Sequence, residues 1–172
     1  METASRAISD AATLVTPTLE FHDLYEHYSE TVYLTALRVM GNPADAEDIL
    51  QTVFLRVLDR RLVLDSSWSP EGYLRRAAAN AAIDLLRRRK TRPETAIDEE
   101  RDHSSKESTL LLKERLRRAL AQLPPESAEL FVLCYLEGYS YDELADLLQI
   151  ERGTVGSRLH RIRAILKKDL TR

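Results

Sequence analysis

The stretch YSYDELADLLQIERGTVGSRLHRIRAILKK, residues 139–168, contains two short helical patterns separated by a tight turn. Ser140 and Glu143 form a capping-box pattern, which typically begins a helix. A turn is predicted over residues 149–151. In the second helix one apolar face recurs at helical spacing, with Val155, Leu159, Ile162 and Leu166. The pattern predicts a helix-turn-helix, with its second helix cationic on the outside.

The outer face of that second helix carries side chains that could contact DNA. An α-helix fits the major groove of duplex DNA, and a helix packed across it fixes its angle of entry. Arginine presents a fork of donors that can bridge a guanine edge or a phosphate. The candidate base-reading residues are Thr154, Ser157, Arg158 and Arg161. Cationic helix pairs also occur in proteins that bind no DNA, so the motif alone leaves that alternative open.

Charge is unevenly distributed along the chain. The net charge is −3, yet residues 75–92 carry seven cations and one anion, and residues 151–172 carry seven cations and two anions. The remaining residues therefore have a net charge of −14. Two basic segments in an otherwise acidic protein indicate a polyanion bound at two places, while the acidic surface limits indiscriminate binding.

The first basic segment belongs to an alanine-rich helix, AAANAAIDLLRRRK, residues 77–90. One face is expected to pack and consists of Leu74, Ala78, Ala81 and Leu85. The other side combines an amide, a carboxylate and cations: Arg76, Asn80, Asp84, Arg87 and the adjacent Arg88. This mixture suits hydrogen bonding to exposed base edges. The alternative is a surface helix whose cations merely favour the negative end of the helix dipole.

Two further helical segments are predicted before this one. Apolar residues recur at three- and four-residue spacing from Leu19 to Met40, which predicts one long helix or two closely joined ones, and Gly41 ends this segment. Asn42 and Pro43 then have the pattern of an N-cap followed by proline in the first helical turn. The outward side of the second helix consists of Asp48, Gln51, Thr52 and Leu55. A leucine exposed between polar residues suggests a partner, although isolated surface leucines are common.

Composition divides the chain into two small helical domains. Residues 93–109 are polar and charged and contain few apolar side chains, so they cannot bury enough apolar surface to stay ordered. This flexible linker separates a domain over residues 18–92 from a helix-turn-helix domain over residues 110–172. Residues 1–17 show no sustained period and are expected to form a flexible tail. Because no strand pattern is present, the predicted fold class is all-α.

Composition and spacing also argue against several functional classes. A single cysteine, Cys134, rules out a disulfide framework, and no apolar run reaches the roughly 18 residues that span a membrane. The first residues lack a secretory-signal pattern, which favours a cytoplasmic protein. No metal-ligand spacing relates the cysteine to the histidines, and no glycine loop could cradle a phosphate. The histidines are His22, His27, His103 and His160. We therefore expect no enzymatic activity, no cofactor and no metal.

Three segments resemble blocks of the extracytoplasmic-function (ECF) sigma factors, a two-domain group within the sigma-70 family of bacterial transcription initiation factors. Residues 45–57, DAEDILQTVFLRV, are similar to the polymerase-binding helix of that family. Residues 73–90, YLRRAAANAAIDLLRRRK, are similar to its helix that melts and reads the minus 10 promoter element. Residues 123–166 are similar to the domain that reads the minus 35 element. The three blocks occur in the family's order, with a linker in the family's place.

The resemblance implies a role for each candidate group. The residues implied to face the polymerase are Asp45, Asp48, Gln51 and Leu55. The alanine-rich helix would capture the melted minus 10 strand, and the helix-turn-helix would read the minus 35 duplex. The implied partners are core RNA polymerase, promoter DNA and an anti-sigma factor. The alternative is a stand-alone helix-turn-helix transcriptional regulator, which would bind duplex DNA without polymerase.

Four positions depart from the family pattern. Thr52 stands where an acidic residue is usual, and Gln149 stands where glycine often makes the turn. Gln149 is therefore expected in a strained backbone region. Glu151 replaces the usual capping serine and adds an anion beside the expected groove, whereas Gly156 in a helix interior costs about 1 kcal/mol relative to alanine. These departures indicate an unusual promoter preference or a regulator-dependent factor.

Overall fold

The computed structural model of the protein describes residues 21–59, 69–91 and 106–170. All regular structure in these ranges is helical, which confirms the all-α prediction. The helices are α1 (Phe21–Met40), α2 (Pro43–Leu58), α3 (Pro70–Thr91), α4 (Lys106–Leu120), α5 (Pro125–Phe131), α6 (Tyr141–Leu148) and α7 (Arg152–Leu170). The predicted tail and the predicted linker up to residue 105 lie outside the described residues. Helix α4 begins within the segment predicted as linker, 93–109.

The junction between α1 and α2 follows the predicted capping pattern. Gly41 ends α1 with φ +69°, a left-handed conformation that glycine adopts without steric cost. The Asn42 side chain then accepts a hydrogen bond of 2.9 Å from the backbone N–H of Ala44, and Pro43 occupies the first turn of α2. This local chemistry turns the chain sharply enough for α1 and α2 to pack as neighbours.

Helices α1, α2 and α3 form an N-terminal bundle. Its buried side chains include Leu24, Val32, Ala36, Val39, Ala46, Ile49, Val53, Leu74, Ala78 and Ala82. The small alanine side chains of α3 allow α1 to pack closely against it, because less volume separates the two backbones. The apolar face predicted for α3 is therefore the face that packs within this bundle.

Helices α4 to α7 form a C-terminal bundle. Helix α5 continues into a π-helical turn, Val132–Leu136, before the chain reaches α6. The core of this bundle includes Leu130, Leu133, Leu144, Val155, Leu159, Ile162 and Leu166. The four buried residues of α7, Val155, Leu159, Ile162 and Leu166, are those predicted to share one face. The opposite face of that helix therefore points outward.

The helix-turn-helix is formed by α6 and α7. Ser140 and Glu143 complete the predicted capping box: the Ser140 N–H donates to the Glu143 carboxylate at 2.8 Å, and the Glu143 N–H donates to the Ser140 hydroxyl at 3.3 Å. The turn passes through Gln149 with φ 53°, a left-handed conformation. Strained backbone was expected here because Gln149 stands where glycine often makes the turn.

The two bundles pack against each other along α3. This helix contacts α4, α5 and the π-helical turn of the C-terminal bundle, and α1 also contacts that turn. Gly72 permits a close approach, because a Cβ there would lie 3.3 Å from Leu147 Cδ1 and 3.6 Å from the Tyr139 hydroxyl. None of the helices in the described ranges is long and apolar enough to cross a membrane.

Candidate nucleic-acid interface

The outer face of α7 presents the residues predicted to read duplex DNA. Ser157, Arg158 and Arg161 are exposed, and Thr154 is half-buried. The Ser157 hydroxyl donates to the Thr154 carbonyl at 3.1 Å, and the Arg161 Nε donates to the Ser157 carbonyl at 3.4 Å. An arginine side chain carries five N–H donors, and the bond from Nε uses only one of those of Arg161. The structure thus brings this predicted set together on one accessible face.

The start of α7 is fixed against α6 by an ion pair. Arg152 Nε lies 2.8 Å from an Asp142 carboxylate oxygen, and both side chains are largely exposed. The pair stabilises the contact between the two helices only weakly, because water screens it. Glu151, immediately before α7, is exposed at the same end of the helix. An anion therefore lies at the edge of the cationic face, as the sequence indicated.

The predicted single-strand-binding side of α3 faces the C-terminal bundle. Asn80 Nδ2 donates to Glu129 Oε1 at 2.9 Å, and Arg76 Nε donates to the same oxygen. Arg87 donates to the backbone carbonyl of Leu123. The other two predicted residues, Asp84 and Arg88, are exposed. The structure therefore places three of the five predicted residues in contact with the opposite bundle.

The residues predicted to bind polymerase divide into two groups on α2. Asp48, Gln51 and Leu55 are exposed, and 59% of the Leu55 surface is accessible to solvent. Asp45 is only 5% exposed, and its carboxylate pairs with the Arg89 guanidinium, with one N···O distance of 2.6 Å. In this conformation Asp45 joins α2 to α3, while the other three residues form an open surface.

Two glutamates of the C-terminal bundle are central to the interface but were missed by sequence reasoning. Glu129 accepts the bonds from Arg76 and Asn80 already described and is 6% exposed. The Glu137 side chain is fully inaccessible and accepts from Thr35 at 2.9 Å, Arg38 at 3.0 Å and Arg75 at 2.6 Å. The only signal in the sequence is an acidic residue at each end of an apolar run, ELFVLCYLE, residues 129–137.

The electrostatics of Arg75 reflect its position between the bundles. Burial alone would lower its pKa, but hydrogen bonds and charge interactions with Glu71 and Glu137 raise the pKa above its usual value. Its guanidinium bonds Glu71 at 2.7 Å and Glu137 at 2.6 Å. Arg75 therefore remains charged and bridges its own helix to the C-terminal bundle.

Cys134 shows the features of a packing residue. It is partly buried in the π-helical turn, and burial raises the pKa of its thiol, although the nearby Arg163 acts in the opposite direction. A protonated thiol is a poor nucleophile. Within the described ranges, no three histidine, cysteine, aspartate or glutamate side chains lie close enough together to hold a metal ion.

Comparison with known proteins identifies relatives of both halves of the chain. The family model described as Sigma-70 region 2 matches residues 24–92, and the one described as Sigma-70, region 4 matches residues 113–166. The ECF RNA polymerase sigma factor SigE of Mycolicibacterium smegmatis is 34% identical, over 99% of this chain and 69% of the relative. The RNA polymerase sigma factor CarQ of Myxococcus xanthus is 33% identical, over 82% of this chain and 83% of the relative.

Solved structures with the same fold include two complexes, one of which contains a sigma factor. CnrH, in complex with the cytosolic domain of CnrY, has a TM-score of 0.54 at 23% identity and covers 88% of this chain and 87% of its own. RpoE from Bartonella quintana, crystallised with the anti-sigma factor NepR, has a TM-score of 0.51 at 20% identity and covers 89% of this chain and 98% of its own. These likenesses establish a shared fold.

Proposed function

This chain belongs to the ECF sigma factors of the sigma-70 family, and from that premise we propose that it directs core RNA polymerase to promoters through two separate DNA contacts. Helix α7 reads the minus 35 element in the duplex. Helix α3 captures the non-template strand of the minus 10 element once the duplex opens. The protein acts reversibly, without a cofactor and without catalysis of its own.

The observation that carries this proposal is the accessible cationic face of α7. Ser157, Arg158 and Arg161 lie on the side opposite the buried residues, and α6 crosses behind them. A helix of this kind can enter the major groove, where a bidentate arginine contact with guanine contributes about 1–3 kcal/mol of discrimination. Lys167 and Lys168, in the last turn, add positive charge for the phosphate backbone.

The role of α3 follows from the chemistry of its exposed and interfacial side chains. Asn80 supplies an amide that can both donate to and accept from a base edge, while Arg76, Arg87 and Arg88 supply positive charge. Extruding a base from the stack costs a few kcal/mol, and a positioned amide beside cations lowers that cost in the opened strand. Asp84 is exposed on the same helix and accepts hydrogen bonds from exocyclic amino groups.

The polymerase contact is proposed for the outward side of α2. Asp48 and Gln51 offer polar contacts around the exposed Leu55, which supplies apolar contact area. Asp45 belongs to the same proposed site, but it would reach a partner only after leaving its Arg89 pair. We expect Asp45 to position α2 in the free protein and the other three residues to make the first contacts.

The test is transcription by purified bacterial core RNA polymerase from a library of randomised promoters, with and without this protein. We expect new start sites that depend on both components and share two sequence boxes at fixed spacing. Arg161→Ala should relax selection at the upstream box, because it removes a base-reading fork. New starts that share no upstream box, or an unchanged box with Arg161→Ala, would contradict the proposed role of α7.

A stand-alone helix-turn-helix regulator is the competing function. It would bind duplex DNA tightly without polymerase, and the outward side of α2 would not affect its action. In the same experiment, Leu55→Ala should abolish the new starts without reducing the folded fraction of the protein. Duplex binding by the protein alone, together with the absence of new starts, would favour the competing function.

We also propose an inhibitory protein partner and a cytoplasmic site of action, where RNA polymerase works. The solved RpoE structure contains an anti-sigma factor, and the present chain shares its fold. A partner of this kind would act by competing for α2 or by holding the two bundles together.

A further inference from the structure

We propose that Glu129 and Glu137 form a carboxylate latch, by which the C-terminal bundle holds the free protein closed and covers the single-strand-binding side of α3. The covering role rests on the proposed function of α3, whereas the closure itself rests only on contacts within the chain. The latch is defined by these two residues, one at each end of the segment 129–137.

The first contact of the latch engages the residues assigned to single-stranded DNA. A single oxygen of Glu129 accepts hydrogen bonds from both Arg76 and Asn80, and the residue is 6% exposed. A carboxylate so far from solvent needs opposite charge and donors around it, because burying it unpaired would be costly. Glu129 thus depends on the same two side chains that a flipped base or a phosphate would need.

The second contact lies at the other end of the segment. The fully buried Glu137 carboxylate accepts from Thr35 and Arg38 of α1 and from Arg75 of α3, so it ties the π-helical turn to two helices of the N-terminal bundle. Hydrogen bonds to ionised groups are stronger than neutral ones. Glu137 therefore fixes the relative position of the bundles that Glu129 requires.

Two backbone contacts support the same closed arrangement. Arg117 of α4 donates to the Val39 carbonyl at the end of α1, at 3.0 Å, and Arg87 of α3 donates to the Leu123 carbonyl before α5. The Val39 carbonyl lies at the C-terminus of α1, where cations are favoured, and the Leu123 carbonyl lies in the connection between α4 and α5. The closed arrangement is therefore held by arginines reaching in both directions across the interface.

A DNA strand and the latch cannot occupy α3 together. The Asn80 N–H that donates to Glu129 is unavailable to a base, and the buried carboxylate would repel a phosphate at the same place. The outer face of α7 and the outward side of α2 remain open in the closed form. The latch therefore covers only one of the three proposed binding surfaces and leaves the polymerase-binding surface accessible for opening.

The latch predicts that removing both carboxylate charges opens the free protein. We would place nitroxide labels at the exposed positions Glu47 and Asp169, in a Cys134→Ser background, and measure their separation by electron spin resonance. The comparison is between the unaltered chain, the double variant Glu129→Gln/Glu137→Gln and the control Glu126→Gln. Glu126 is exposed on α5 and undergoes the same type of substitution, with the loss of one charge. We expect one narrow distance distribution for the unaltered chain and the control, and a longer, broader one for the double variant.

A second measurement on the same full-length proteins tests the covering role. Binding of fluorescein-labelled, random-sequence single-stranded DNA should strengthen roughly tenfold in the double variant, since apparent affinity scales with the fraction of open protein. If the double variant does not fold, each single glutamine variant is measured in the same way and should give part of the same change.

Each result has a defined meaning. An unchanged distance distribution in the folded double or single variants would overturn the latch. A longer distance without tighter single-strand binding would overturn the covering role. Transcription with core polymerase decides the proposed function separately, because the spin-label measurement contains neither polymerase nor DNA.

Discussion

Ser140 shows how one side chain fixes the entry to the helix-turn-helix. Its hydroxyl accepts from the Glu143 N–H, and its own N–H donates to the Glu143 carboxylate. The backbone bond from Ser140 contributes most to lowering the pKa of Glu143, and the Ser140 side chain contributes next. Because the folded-state pKa is depressed, the associated stability is present at neutral pH and is lost as pH falls through the folded pKa.

Ser140→Ala should therefore destabilise the protein by about 1 kcal/mol at pH 7, the usual cost of losing an N-cap side chain. The pKa of Glu143 should rise in the variant but stay below its ordinary value, because the backbone bond remains. Urea unfolding gives the first quantity, and a nuclear magnetic resonance titration of the Glu143 carboxyl gives the second. Ser140→Thr, which keeps the hydroxyl, is the control. An unchanged Glu143 titration in the alanine variant would contradict the capping geometry.

At the scale of the element, α7 combines a rigid apolar face with a glycine in its interior. Val155, Leu159, Ile162 and Leu166 are buried, whereas Gly156 is half-buried near the start of the helix. A Cβ at Gly156 would lie 3.7 Å from Tyr141 Cε2, which is an ordinary van der Waals distance. The glycine is therefore not required by packing in the free protein.

Gly156→Ala should stabilise the protein by about 1 kcal/mol, because alanine has the higher helix propensity and its methyl group fits beside Tyr141. Gly41→Ala is the contrasting variant: that position has φ +69°, and a Cβ there would clash with the Arg117 guanidinium. It should be destabilising. Urea unfolding followed by circular dichroism measures the change in the free energy of unfolding for both variants. A loss of stability in Gly156→Ala would contradict the packing described between α6 and α7.

Local elements could be predicted from sequence because their causes are local. The Asn42 cap, the Gly41 terminator and the Ser140–Glu143 capping box each involve residues within a few positions of one another. The strained backbone at Gln149 was expected for another reason, because glycine often makes this turn in the resembled family. Helical spacing also identified the buried faces of α3 and α7, since burial there follows a period of 3.6 residues.

The partners of the charged side chains could not be predicted in this way. Asp45 finds Arg89 across 44 positions, and Glu137 finds Thr35 across 102 positions. Such pairs depend on how the bundles dock, which periodicity within one helix does not determine. The sequence placed Arg76 and Asn80 on one side of α3, as the structure does, but their partner, Glu129, lies on a helix of the other bundle.

At the scale of the whole molecule, the two bundles expose their surfaces unequally. The α7 face and the outward side of α2 are accessible, while much of the side of α3 proposed to bind single-stranded DNA contacts the C-terminal bundle. This arrangement suits a protein that meets polymerase before it meets an opened strand. The ionic contacts between the bundles contribute little net stability to the closed arrangement, because desolvation offsets much of their Coulombic gain. A larger partner that binds α2 could therefore shift the protein towards an open form.

The most direct test of the central claim is promoter opening measured with and without core RNA polymerase. A promoter recovered from the randomised library would carry 2-aminopurine in the non-template strand of its downstream box, where fluorescence rises as bases unstack. We expect a rise only when polymerase and this protein are both present, and a smaller rise with Asn80→Ala despite unchanged polymerase binding. Tight binding of the duplex by the protein alone, with no fluorescence rise when polymerase is added, would contradict the account.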